Sequence, residues 1–330
     1  MRTTRRAMLA AGFSGLATPA LFSGTARAQR ASGYPDRPVR LIVPFTAGGA
    51  ADIIARQLAA HLQGELGKPF VVENRAGAGS ALGVEQIARA APDGYTIGMA
   101  NIASHAILPH LRQLPYDPIK DFAPIGMVAI TPCLLVVNPE RLPVNNVAEL
   151  VARAKAKPEE LDFSSSGAGT SLHLGMEMFM QAAGIRMTHI PFNGSGPSLQ
   201  ALLAGQVSLS MEVAALAWQQ VQDGKLRALA VTTPQRADFA PDLPTLAESY
   251  PGTDIAPWHG VVAPAGTPAP IIQALSAATA NFLRQPATLE RFKQQTLEAQ
   301  GSTPEEFASF IQTEQERFRQ VIQRGNISVN

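Results

Sequence analysis

The sequence predicts an α/β protein of two lobes, each an open sheet flanked by helices. Three observations carry this expectation. Strand-like runs alternate with helical ones from residue 34 onward, glycine-rich turns join strands to the helices that follow, and the pattern restarts near residue 134 in a second unit of similar size. The first strand is Val39-Arg40-Leu41-Ile42-Val43-Pro44-Phe45. A helix follows over Ala50 to Leu66, with Ile54, Leu58, Leu62 and Leu66 on one face at spacing four, and Gly67-Lys68-Pro69 stops it. Phe70 to Asn74 is the second strand. Gly77-Ala78-Gly79 opens a helix to about Ala91, and Pro92-Asp93-Gly94 turns into a strand over Tyr95 to Ala100. This alternation predicts a parallel sheet with helices on both faces.

The second unit begins with a strand over Leu134 to Asn138 and a helix over Asn146 to Ala156. A strand over Leu161 to Ser165 leads to a helix over Ser171 to Ala183. Its Leu172, Met176, Phe179, Met180 and Ala183 form an apolar stripe, in which the methionines fill core space. Further strands lie over Arg186 to Phe192, Val207 to Glu212 and Leu226 to Thr232, with helices between. A Pro-rich passage from Pro234 to Pro257 precedes a strand over His259 to Ala263 and two or three C-terminal helices. The last helix sets Phe307, Phe310, Ile311, Phe318 and Ile322 on one side. This return of the chain places lobe one at about 34–131 plus 255–330 and lobe two at about 132–254. Crossings are expected near Thr131 and Asp254.

Composition narrows the function. The chain has 330 residues, 46% hydrophobic and 16% charged, enough for real cores and unlike a disordered chain. The first 28 residues hold Arg2, Arg5, Arg6 and Arg27 and no acid; without them 23 bases face 26 acids, a net charge of −3. No basic stripe remains, so nucleic acid is not an expected partner. Cys133 is the only cysteine, which excludes an internal disulfide and a thiolate metal site; it reads as a small buried apolar residue. Arg5-Arg6 before the apolar run Ala7 to Phe22, with a small-x-small end at Ala26-Arg27-Ala28, resembles a twin-arginine export signal over 1–28. The mature protein is then expected in the periplasm.

Three loops put glycine between a strand and a helix. They are Phe45-Thr46-Ala47-Gly48-Gly49-Ala50-Ala51-Asp52, Ser164-Ser165-Ser166-Gly167-Ala168-Gly169-Thr170-Ser171, and Phe192-Asn193-Gly194-Ser195-Gly196. The first N–H groups of a helix lack internal partners, and the helix dipole makes that end positive. Such an end holds a carboxylate without a lysine or arginine. Ligands also sit beyond the carboxyl ends of strands in open α/β sheets. Any one loop, taken alone, also reads as an ordinary turn whose Ser, Thr or Asp caps a helix. Gly48 and Gly169 are the glycines expected closest to a ligand.

Competing motifs fail. Gly77-Ala78-Gly79 has Leu82 where a dinucleotide fingerprint needs its third glycine. No Walker lysine and no Gly-x-Ser-x-Gly elbow occurs, and the six histidines show no metal-ligand spacing. Each histidine reads as structural. A hydrolase using Ser171 with His173 is the enzymatic alternative, but residues two apart on a helix do not face each other. No metal, cofactor or catalytic residue is expected.

The sequence resembles the Bug/TctC family, the extracytoplasmic receptors of tripartite tricarboxylate transporters, over about residues 34–325. The likeness lies in Tyr34-Pro35-Asp36-Arg37-Pro38-Val39-Arg40, in Pro44 to Asp52, in Gly167-Ala168-Gly169-Thr170-Ser171-Leu172-His173-Leu174, and in Glu73-Asn74-Arg75-Ala76-Gly77-Ala78-Gly79-Ser80. It continues in Ala91-Pro92-Asp93-Gly94-Tyr95-Thr96, Gly224-Lys225-Leu226-Arg227-Ala228, Pro257-Trp258-His259-Gly260 and Ala263-Pro264-Ala265-Gly266-Thr267-Pro268. It implies a type II periplasmic-binding-protein fold with the ligand cleft between the lobes. A small organic carboxylate would be held largely by backbone amides. Carried over by motif, lobe one would supply Phe45, Thr46, Ala47, Gly48, Gly49 and Asp52. Lobe two would supply Ser166, Gly167, Ala168, Gly169, Thr170 and Ser171, with Asn193, Gly194, Ser195 and Glu212 nearby. Departures from the family pattern at Asn193, Ser208 and Glu212 bear on ligand identity rather than fold. The partners implied are membrane subunits of a tripartite tricarboxylate-type transporter, with the receptor a monomer. A sensor that presents its closed form to a membrane kinase would use the same cleft.

Overall fold

A computed structural model describes residues 33–325 and 327–328. The export-signal reading of residues 1–28 lies outside the described residues. The first run holds β1 (Val39–Val43), α1 (Ala50–Leu66), β2 (Phe70–Asn74), α2 (Ala81–Ala88), β3 (Thr96–Asn101) and β4 (Phe122–Ile130). The second holds β5 (Cys133–Val137), α3 (Val147–Ala156), β6 (Asp162–Ser165), α4 (Ser171–Ala183) and β7 (Thr188–Pro191). It continues with α5 (Ser195–Leu203), β8 (Leu209–Val213), α6 (Ala214–Gln222), β9 (Arg227–Val231) and α7 (Leu246–Ser249). The chain ends with β10 (Trp258–Pro264), α8 (Ala269–Arg284), α9 (Pro286–Gln294), β11 (Glu298–Ala299) and α10 (Pro304–Gly325). The fold is α/β with two lobes, each built on its own sheet. One sheet runs β11-β4-β10-β3-β1-β2 and the other β7-β6-β8-β5-β9.

The parallel pattern expected from the alternation holds for β1 with β2 and β3, and for β6 with β7 and β8. It fails at β10, antiparallel to β3 and β4, and at β5, antiparallel to β8 and β9. These two strands enter their sheets from the other lobe. A strand arriving from the cleft must run against neighbours whose carboxyl ends face the cleft. The short β11 is also antiparallel to its neighbour β4.

The central strands β3, β5, β8 and β10 are buried along their whole length, because helices cover both faces. On α1 the spacing-four residues Ile54, Leu58 and Leu62 are buried. The residues of α4 are buried well beyond its apolar stripe, Ser171, His173 and Gly175 included, because the helix lies inside the molecule rather than on its surface. From α10, Phe307 and Phe310 meet the Trp258 ring edge-on at 5.6 and 5.5 Å, tying the C-terminal helix to the strand that re-enters the first sheet.

Three elements depart from the sequence pattern. Pro124 and Gly126 interrupt β4, and the pairing of β10 with β4 shifts register twice to admit them. The helix expected to open at Gly77-Ala78-Gly79 and run to about Ala91 begins instead with a 3₁₀ turn over Ala78–Ser80, because Gly79 and Ser80 take left-handed conformations, and it ends at Ala88. The Pro-rich passage contains the short α7, closed by a capping box between Thr245 and Glu248.

The connections between the sheets run side by side. The Thr131 N–H donates to Pro257 O at 2.8 Å, Thr232 N–H to Cys133 O at 2.9 Å, and Ile255 N–H to Thr232 O at 2.9 Å. Among the described residues no helix is long and apolar enough to cross a membrane.

Candidate functional site

Three helices start on one cavity between the lobes. The loop after β1 brings Phe45 and Thr46 to it, and the start of α1 adds Gly49, Ala50 and Ala51. From the other lobe come Ser166, Ser171 and Leu172, and Ser195 at the start of α5. Val213, Pro257 and His259 close it beside the crossing segments. None of these residues is Lys, Arg, Asp or Glu. The interior offers about 40 Å³ to the centres of water-sized groups. One water needs about 10–15 Å³ by that measure. The cavity therefore suits a compact ligand.

The electrostatics come from the backbone. The N-caps of α1, α4 and α5 are Gly49, Thr170 and Gly194, and no N-cap side chain bonds its own first turn. Thr170 could do so, but its hydroxyl donates back to Gly167 O at 2.7 Å and accepts from Ser166 Oγ at 3.1 Å. The positive ends of three helices thus meet where Ala50, Ala51, Ser171, Leu172 and Ser195 line the cavity. That arrangement can hold an anion without a cationic side chain.

Each loop is braced from behind. The Asp52 carboxylate accepts from Gly48 N–H and Arg56 Nε at 2.9 Å and from Asn74 Nδ2 at 2.9 Å. Asn74 also donates to Phe45 O at 3.0 Å. Burial pushes the Asp52 carboxyl up, but Arg56, the Gly48 amide and Asn74 outweigh it and hold the group below the usual carboxylate range. Asp52 thus shapes the first loop rather than lining the cavity. Under the second loop, the rings of His173 and His189 stack at 4.0 Å, and Phe163 stacks on His189 at 4.8 Å. Gly169 N–H donates to His173 Nδ1 at 3.2 Å, and Ser165 Oγ bonds His189 Nε2 at 2.6 Å. Burial, then His173, holds His189 down to about 3, so its ring is neutral. His173 is committed to the loop and to Glu177 at 3.4 Å, not to Ser171.

Glu212 lies behind α5. Its Oε1 accepts from the Ser198 and Ser210 hydroxyls, and burial pushes its carboxyl up to about 8 despite both. The folded protein therefore keeps a proton that the unfolded chain releases above about 4.3. A raised acid pKa makes stability fall as pH rises between those two values. We expect Glu212→Gln to gain at least about 1.4 kcal/mol over wild type on going from pH 5 to pH 8, one unit's worth, or about 2–4 °C in Tm. Melting curves of both proteins across that range check it; a gap that does not change with pH would contradict the assignment.

The lobes touch through glycines on both sides of the cavity. A Cβ on Gly79 would stand 2.6 Å from Ala168 O, and one on Gly194 2.4 Å from Thr46 Oγ1. One on Gly169 would stand 2.3 Å from Leu108 Cδ2.

Of the residues singled out from the sequence, Phe45, Thr46, Gly49, Ser166, Ser171 and Ser195 line the cavity. Ala47 and Gly48 are exposed on the outer side of their turn, and Asn193 is exposed as well. Gly167, Ala168, Gly169, Thr170 and Gly194 form the second loop and the seam between the lobes, close behind the lining. Ser208 lies just before β8, where its hydroxyl accepts from Arg141 at 3.1 Å. Sequence reasoning missed Val213 and Pro257 and read His259 as structural, yet all three line the cavity. The signal available was the position of Pro257 and His259, where the chain re-enters the first sheet.

Comparison with known proteins places the chain. Residues 54–327 match the family model described as tripartite tricarboxylate transporter family receptor. BugT of Bordetella pertussis is 37% identical over 303 residues, covering 91% of this chain and 93% of that protein. The structure of the periplasmic binding protein BugD matches with a TM-score of 0.85 at 35% identity, over 89% of this chain and 99% of that one. Rpa4515 of R. palustris, solved with adipate, matches with a TM-score of 0.86 at 35% identity, over 89% and 99%. MatC from Rhodopseudomonas palustris, with bound malate, gives 0.83 at 31% identity, over 88% and 100%. The matching family model is that of a transport receptor, and BugD is a periplasmic binding protein. The chain belongs to the tripartite tricarboxylate transporter family of receptors, periplasmic solute-binding proteins of the Bug/TctC type.

Proposed function

We propose that the cleft captures a small organic carboxylate and that the loaded receptor delivers it to the membrane subunits of a tripartite tricarboxylate-type transporter. The observation that carries this is the meeting of three helix starts, none capped by its own N-cap side chain, on one cavity lined without a charged residue. The amides at Ala50, Ala51, Ser171, Leu172 and Ser195 are the anchors, with Thr46 and Ser166 beside them. Asp52 and His173 hold the anchoring loops in place. The relatives solved with adipate and malate support a carboxylate.

Lobe one is 34–131 plus 255–330 and lobe two 132–254, and they close about the paired crossings near Thr131 and Asp254, where Thr131 N–H meets Pro257 O. A ligand that bridges both lobes stabilises the closed form through contacts the open form lacks. The receptor works as a monomer, exported by the twin-arginine signal over residues 1–28. A melting-shift screen of short mono-, di- and tricarboxylates tests the function. A ligand at a hundredfold excess over Kd is expected to add about 2.7 kcal/mol of stability. A shift with sugars or cations and none with any acid would refute it.

A further inference from the structure

We propose that His259 and Thr46 read the uncharged end of the ligand and select a short hydroxy acid over an alkyl acid or a diacid of the same length. The proposal rests on the reading that the helix starts hold a carboxylate, and it names the class of acid. His259 Nδ1 and Thr46 Oγ1 are buried atoms with no hydrogen-bond partner among the described residues, and both residues line the cavity. Buried polar atoms in folded proteins are nearly always paired, so two orphans on residues that line one cavity point to a ligand group that pairs them.

The two atoms come from different parts of lobe one. His259 lies at the cleft end of β10, opposite Asn101 of β3 and Ala129 of β4. Thr46 lies in the loop after β1, with its hydroxyl against the Cα–H of Gly194, which offers it no hydrogen-bonding group. Burial holds the His259 imidazole down to about 4, so the ring is neutral and each nitrogen is either a donor or an acceptor. A ligand hydroxyl can donate to one of these atoms and accept from the other. An alkyl acid leaves both unpaired, and a site built for a hydroxyl discriminates strongly against the analogue lacking it. A second carboxylate would enter a cavity whose lining holds no cation, and would lose its hydration without a counter-charge. The small interior favours a short chain.

Three acids of equal carbon count make the test: lactate, propionate and malonate, titrated by calorimetry into the whole mature protein. Lactate is expected to bind at least tenfold more tightly than either of the others. In Thr46→Val and in His259→Leu the lactate-to-propionate ratio is expected to fall below about threefold. In His259→Asn, whose amide reaches the place of Nδ1, it is expected to recover. Equal binding of the three acids by the wild type would overturn the selection while leaving carboxylate capture intact. A ratio that survives in both Thr46→Val and His259→Leu would overturn the assignment of these two residues. No binding by any of the three would overturn this proposal and the carboxylate reading together.

Discussion

Gly79→Ala is expected to weaken ligand binding at least tenfold, about 1.4 kcal/mol, while leaving the fold intact. Gly79 has φ 59° and ψ 32°, a left-handed conformation that alanine adopts at a cost of roughly 1–2 kcal/mol. That cost is paid in the open and the closed protein alike. The added methyl, however, would stand 2.6 Å from Ala168 O of the other lobe, closer than real Cβ contacts come. Both groups belong to backbone turns, so neither can step aside as a flexible side chain would. Arg112 donates to the neighbouring Ala78 O and stiffens the same turn. On the proposed hinge closure this collision falls on the closed form, and the apparent affinity falls with the population of the form that binds. Calorimetry, with small-angle scattering to follow compaction on ligand addition, checks it. Affinity within twofold of wild type would show that closure does not depend on this contact.

Ala50→Pro is expected to lower affinity about 10- to 100-fold, with Arg75→Ala costing less than about fivefold. Ala50 is the first residue of α1, a position where helices accept proline because its N–H has no internal partner. The preceding Gly49 is extended, at φ −80° and ψ 168°, as a residue before proline must be. The substitution therefore removes one of the N–H groups proposed as anchors from a helix that still forms. A hydrogen bond to a charged group is worth about 1.5–3 kcal/mol, which sets the range. Arg75 instead reaches Glu73 at 3.1 Å with its side chain half exposed, and such pairs are worth about 0–1 kcal/mol. Titration of both variants with the same acid decides between main chain and side chain as the anchor. A large loss for Arg75→Ala with little for Ala50→Pro would place the anion on a cation.

The repeating elements were legible because periodicity and glycine punctuation are local. The apolar spacing of α1 and the extent of α4 read directly from the sequence. So did the glycine loops at helix starts, since a strand-turn-helix junction is written in consecutive residues. What stayed hidden depends on distant partners. The reversed direction of β5 and β10 follows from which lobe each strand enters from, and no residue within them states that. β4 carries Pro124 and Gly126, which its neighbour accommodates by shifting register. Pocket membership of Val213, Pro257 and His259 arises only where the two lobes meet. Glu212, placed near the ligand from its strand, turns instead under α5 to two serine hydroxyls.

The most direct measurement is the melting-shift panel run with each carboxylic acid beside its uncharged amide, lactate against lactamide included. If uncapped helix starts hold the ligand, the acids raise the melting temperature at concentrations where the matching amides do nothing. An amide that stabilises the protein as well as its acid would contradict an anion-binding cleft.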